Sequence, residues 1–432
     1  MAFAVGLSED GMMVIRPCCP ALTGLLLLLA AGSAQADESV EPLGLSEARA
    51  LAVQQQPMLE ALAASATAAH ESAIAAGQLP DPKLTGGVSD WPINGPDRYS
   101  LRRDDFTTVN VGIEQDFPRA AKRRLRGTRG EHEAEFAQQQ FNASHLAIER
   151  DAALAWLDVW RPQRARELVQ ASVREADLQV QALGIAYSTS RATQADVLAS
   201  RVALALLRDE ATGLGDEEQM ARSKLARWIG ADAAQRPLPS ELAAWRELAP
   251  LPDLLARLRQ HPRLNEEAKK VQIAEDEVAL ARQAYKPDWS AGIAYGYRPD
   301  YSDYVSLNFS VDLPVFTGQR QDRELGAKLA AQNQAQQSRE DLLREQEAEL
   351  RFNWLGWQRL QDRLQQFDAE VLLQSRQRVD AATAAWQAGQ GTLAAVLDAR
   401  RMALDNELKR LNLFTDAARY RVALQYFAED VP

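Results

Sequence analysis

The chain has 432 residues, a length that suggests two or three ordinary domains. Hydrophobic residues make up 46% and charged residues 25%, a folded rather than disordered composition. The formal charge of −11 argues against a nucleic-acid partner, which needs a basic face.

The first 36 residues read as a targeting segment. Arg16 supplies the positive charge, an apolar run occupies 21–31, and Ala34-Gln35-Ala36 fits a small-x-small cleavage site. A buried N-terminal helix is the alternative. Both cysteines, Cys18 and Cys19, precede the apolar run, so the mature chain is expected to be exported, unlipidated and free of disulfides. After residue 40 no stretch is long and apolar enough for a spanning helix, so entry into a membrane requires a β-barrel.

The rest of the chain carries an internal duplication, with halves at 37–245 and 246–432. Pro57 and Pro82 lie 25 residues apart, as do Pro262 and Pro287, and each pair brackets an Ala/Glu/Gln-rich helical stretch. Asp116-Phe117-Pro118 is answered by Asp312-Leu313-Pro314. Thr193-Gln194-Ala195-Asp196-Val197-Leu198 is answered by Thr392-Leu393-Ala394-Ala395-Val396-Leu397, with Arg201 and Arg400 at the same spacing beyond. Each half therefore reads as helices, two strands and a long helical hairpin.

Strands are expected at about 83–90 and 107–117 in the first half and at about 288–297 and 303–313 in the second. They alternate with a period of two. Val109, Val111, Ile113 and Phe117 share one face, against Asn110, Glu114 and Asp116. Val305, Leu307, Phe309, Val311 and Leu313 oppose Ser306, Asn308, Ser310 and Asp312. Trp289, Ile293, Tyr295 and Tyr297 form a third apolar row. The hairpins are expected at 119–230 and 318–427. One limb of each is nearly free of helix breakers and is long enough to reach roughly 100 Å at ~1.5 Å per residue.

Four strands cannot close a transmembrane barrel, because an open edge in lipid leaves backbone groups unpaired. The strands must be shared with other copies, apolar faces to lipid. The polar faces would then line a lumen, with Asn110, Glu114, Asp116, Ser306, Asn308, Ser310 and Asp312 as lining residues.

The order and spacing of these features resemble the TolC-type outer-membrane efflux channels, most closely the heavy-metal (cobalt–zinc–cadmium, CzcC-like) branch. The residues carrying the resemblance are the duplication, Asp116-Phe117-Pro118-Arg119, the basic run 122–126, and the motifs 192–198 and 391–399. The resemblance implies a mainly α fold with β. Its parts are a trimeric α-helical barrel of long coiled-coil hairpins and a shared 12-strand transmembrane β-barrel. It also implies an outer-membrane location reaching into the periplasm, and a periplasmic adaptor and an inner-membrane pump as partners. Two departures stand out: Ser190 occupies a frequent glycine position, and Ala395 a position where some members have a second acid.

In a trimer, Asp196 and Asp398, just past the two hairpin turns, would each become a ring of carboxylates at the tube entrance, with Arg191 and Arg400 as gate partners. The plainer reading is a solvated aspartate or a helix cap. Arg119, Lys122, Arg123, Arg124 and Arg126 open a helix where the dipole disfavours cations, and anionic lipid headgroups would compensate. The plainer reading is an ordinary solvated face. Paired tryptophans at 156/160 and 354/357 read as helix packing.

Nothing points to catalysis, a cofactor or a bound metal. The four histidines have no ligand at metal spacing, and neither a nucleophile elbow nor a phosphate loop appears. The competing reading is a periplasmic coiled-coil adaptor or stalk without a pore, whose strands would form a compact sandwich.

Overall fold

The computed structural model describes residues 41–428, apart from Ala244 and Arg246. The expected targeting segment and both cysteines lie outside the described residues.

Two helices, α1 (Leu45–Gln55) and α2 (Pro57–Ala76), precede strands β1 (Lys83–Ser89) and β2 (Thr108–Phe117). Pro57 begins α2, where its missing N–H costs nothing. From β2 the chain enters α3 (Ala120–Ser188), a helix of 69 residues, and returns along α4 (Gln194–Ile229). Gly130 lets α2 cross α3 closely, since a Cβ there would lie 2.7 Å from the Ala73 Cα. Short helices α5 (Ala231–Ala234) and α6 (Leu251–Leu258) lead to α7 (Pro262–Gln283). Strands β3 (Trp289–Tyr297) and β4 (Tyr304–Val311) follow, then α8 (Gln321–Gln366), α9 (Leu373–Gln387) and α10 (Leu393–Ala428).

The second long limb departs from the unbroken helix expected over 319–387. A π-helical turn, Phe367–Leu372, separates α8 from α9. The wider turn adds a residue and resets the helix face. Phe367 and Leu372 are thereby buried with Leu364, Leu413 and Ala417, while Asp368 makes a two-point pair with Arg410 at 2.6 and 2.9 Å.

The four strands form one antiparallel sheet in the order β1-β2-β3-β4. At the central β2–β3 seam Ile113 pairs with Ile293 and Phe117 with Trp289. The Phe117 and Trp289 rings stack at 4.3 Å. Strand β4 ends at Val311, so Asp312, expected within it, lies just beyond; its N–H bonds the Asp288 carbonyl at 2.9 Å.

The main core is where α3 meets α1, α4 and α10. Trp156, Leu157, Val159, Leu225 and Ile229 are buried there with Ala48 and Ala52. The indole N–H of Trp156 bonds the Leu43 carbonyl at 3.0 Å, and that of Trp160 bonds the Pro239 carbonyl at 2.9 Å. Each ring thus buries its apolar body without an unpaired donor, and truncating such a residue to alanine costs about 3–5 kcal/mol. A second core joins Leu146, Leu254, Leu258, Leu350 and Phe427. His261 lies beside it, buried, between Tyr426 and Phe427.

Candidate functional site

The sheet has one face of large apolar residues, all exposed. Leu84, Ile113, Ile293 and Leu307 stand in one row across the four strands. Val111, Tyr295 and Val305 form the next row. Leu307 is 67% exposed and Phe309 76%. Exposed apolar surface of this extent marks a face built to meet something apolar. The outer edges of β1 and β4 have no partner strand among the described residues.

The opposite face is polar or small. Lys83 and Asp116 pair at 2.7 Å. Glu114 stands in register with Lys83 on β1 and Gly292 on β3, and Gly292 with Asn308 on β4. Asn110 donates to the Ser89 hydroxyl at 2.7 Å. Ser306 and Ser310 lie on this face opposite Ala294 and Ser290.

At the other end of the molecule the two hairpins turn. The first bends through Ser190, with φ at 57°, where the N–H of Arg191 closes onto the Ala186 carbonyl at 2.8 Å. Thr193 and Asp196 then form a capping box: the Asp196 N–H reaches the Thr193 hydroxyl at 3.2 Å, and the Thr193 N–H reaches the Asp196 carboxylate at 3.0 Å. The Thr193 hydroxyl also donates to that carboxylate at 2.6 Å. These bonds hold the Asp196 carboxyl below the ordinary carboxylate range. The second turn uses Gly389, with φ at 74°, and Thr392 caps the Ala395 N–H at 3.2 Å. Alanine at 395 has no side chain to complete the box, so the two turns are alike in backbone and unlike in charge.

Asp398 is exposed and pairs with Arg378 of α9 at 2.6 Å. Arg400 turns towards α3, to Gln179 at 3.3 Å and Glu175 at 3.7 Å. Within one chain, therefore, neither Arg191 nor Arg400 reaches an aspartate of the tips. Arg378 had no sequence signal, because its pairing runs across the hairpin from 20 residues away.

The basic run lies where β2 passes into α3. Asp288, just before β3, receives the Arg119 N–H at 3.0 Å and the Lys122 ammonium at 2.6 Å. Its burial opposes ionisation, but the bonds from Lys122 and Arg119 outweigh it and lower the carboxyl below its usual value. A carboxylate at this helix start offsets part of the unfavourable dipole. Arg124 stays exposed, and Arg123 and Arg126 are half-buried.

The chain aligns over about nine-tenths of its length with solved outer-membrane proteins. VceC of Vibrio cholerae gives a TM-score of 0.76 at 22% identity, covering 90% of this chain and 97% of that one. The transmembrane channel protein CusC gives 0.76 at 15%, covering 90% and 93%. The open state of the Neisseria gonorrhoeae MtrE outer-membrane channel gives 0.70 at 15%, covering 89% and 88%. The chain has the fold of these outer-membrane channels. No protein-family model and no curated protein matches the sequence. The helix α3 runs from the end of β2 to the first hairpin turn, so sheet and turn lie at its two ends.

Proposed function

We propose that this protein is an outer-membrane exit duct, passively conducting metal cations or small toxic compounds from the periplasm or a pump to the exterior. The observation that carries the reading is the sheet: four strands, open at both edges among the described residues, with an exposed apolar face on one side and a polar face on the other. Such a sheet is stable in lipid only when closed by further strands. Three copies of four strands make a twelve-strand barrel, the arrangement that the resemblance to the TolC-type channels implies. Apolar rows then face lipid, Asn110, Glu114, Asp116, Ser306, Asn308 and Ser310 line the lumen, and the hairpins form a periplasmic tube. The exposed arginines at the start of α3 fall at the inner headgroup layer. An adaptor protein and an inner-membrane pump dock at the hairpin end, as in tripartite efflux systems. An adaptor without a pore would need its strands folded into a closed sandwich, and a single open sheet does not favour that reading.

The test is reconstitution. Protein extracted from the outer-membrane fraction is expected to be trimeric in detergent and to conduct in planar bilayers. A monomer that washes off the membrane with salt and forms no pore overturns the proposal. Deleting the gene and measuring tolerance to divalent metals and to drugs separates the two cargo classes.

A further inference from the structure

The polar face of the sheet carries one aromatic residue among its four strands, Tyr304 at the start of β4. It stands in a single row with Gly87, Asn110 and Gly296. The phenol lies across Gly296: a Cβ built there would be 2.6 Å from the Tyr304 Cζ and 2.9 Å from the Thr108 Cγ2. Its hydroxyl reaches the Asn110 side-chain oxygen at 3.3 Å, so the ring bridges from β4 over β3 to β2. Only glycine at 296 leaves room for this.

Arg298 rests on that ring, 5.4 Å from its centroid. Its guanidinium is anchored by neutral acceptors, the Ser302 carbonyl at 2.9 and 2.7 Å and the Asp105 carbonyl at 3.5 Å. The nearby Asp303 carboxylate is occupied by the Tyr295 hydroxyl and by the Arg298 backbone N–H. Among the described residues the Arg298 guanidinium makes no ion pair within 4 Å, and the nearest carboxylate, that of Asp303, is bonded to other donors. This cluster lies at the end of the sheet away from the helices, beside the loops at 91–107 and 298–303.

We propose that Arg298, carried on the Tyr304 ring, is the charge-selecting residue at the outer mouth of the duct. The inference rests on the trimeric barrel reading. Three copies would set a ring of guanidinium groups around the exit, and basic rings favour anions over cations.

The experiment is the reversal potential of the full-length trimer in a planar bilayer under a salt gradient. Arg298→Gln is expected to shift it towards cation selectivity, and Arg298→Lys to stay near the parent value. A parent-like Arg298→Gln reversal potential overturns the proposal. If that variant does not assemble, Arg298→Met decides: it keeps an apolar stem over the Tyr304 ring and removes the charge, so the shift runs the same way, whereas an unmoved value overturns the proposal. Failure of the parent protein to conduct at all would instead count against the duct reading.

Discussion

Asp288 sits at the N-terminus of α3, its two carboxylate oxygens shared between the Lys122 ammonium and the N–H of Arg119, which lies 169 residues earlier in the chain. This one side chain ties the start of β3 to the start of α3, at the point where sheet passes into helix. Both partners are half-buried, with side-chain exposures of 24% and 19%. Asp288→Ala leaves Lys122 without its counter-charge and the helix start without an anion. The expected cost is about 1.5–3 kcal/mol, read as a lower midpoint of thermal unfolding in detergent. An unchanged midpoint would mean that headgroups or water replace the carboxylate.

His261 gives a pH dependence with a definite sign. Its Nδ1 accepts from the Arg263 N–H at 3.3 Å, and its Nε2 donates to the Tyr426 carbonyl at 3.2 Å, so the ring is satisfied while neutral. Burial pushes its pKa down to about 4, with nearby Arg150 acting in the same direction. Above the unfolded value near 6.5 neither state binds the proton and the histidine contributes no pH dependence. As pH falls from about 6.5 to about 4, the unfolded chain takes up a proton that the folded chain refuses. Stability is lost over that window, by up to about 3 kcal/mol. His261→Gln removes this component, so the difference between parent and variant melting curves should be flat above pH 7 and change only below it. A constant difference down to pH 4 would contradict the assignment.

The apolar and polar faces of the sheet were legible from period-two alternation, and the hairpin turns from the repeated threonine motif. What was not legible depends on register and on contacts distant in sequence. The alternation around Val305 and Leu307 already puts Tyr304 on the polar face, but only the pairing of Gly296 with Tyr304 reveals the seat beneath its ring. Asp288 and Arg378 give no signal in the sequence, because their partners lie on helices distant along the chain or across a hairpin. The π-helical turn at Phe367–Leu372 left no mark either, since an inserted residue in a polar helix breaks no visible pattern.

The two sheet faces make a paired prediction. Leu307 stands in the central apolar row with Leu84, Ile113 and Ile293, and Asn308, its neighbour, points to the other side. An arginine facing lipid near the bilayer midplane costs ~2–4 kcal/mol, and a lumen-facing one much less. Leu307→Arg should reduce the amount of heat-resistant trimer recovered from membranes, while Asn308→Arg should assemble like the parent. Equal tolerance of both would remove the distinction between the faces.

The last prediction concerns the hairpin tips, where the two aspartates are held differently. Asp398 carries its own counter-charge, Arg378 at 2.6 Å, so a ring of three such pairs has little net charge. Asp196 makes no ion pair among the described residues; its bonds come from Thr193, and they keep it ionised into the acidic range. If the tips converge on one axis, the Asp196 ring is the more negative of the two and should attract cations and bind divalent ions. Removing its side chain would also remove the capping box, at a cost of about 1 kcal/mol. Asp196→Asn is therefore the cleaner probe, because the amide oxygen still accepts from the Thr193 N–H. Asp196→Asn should weaken cation preference and divalent block in bilayer recordings with unchanged trimer stability. Asp398→Asn should weaken divalent block less, since the Asp398 carboxylate is already engaged by Arg378. Parent-like selectivity and block in the Asp196→Asn, Asp398→Asn double variant would make Asp196 a helix cap and nothing more, and would place any gate elsewhere along the tube.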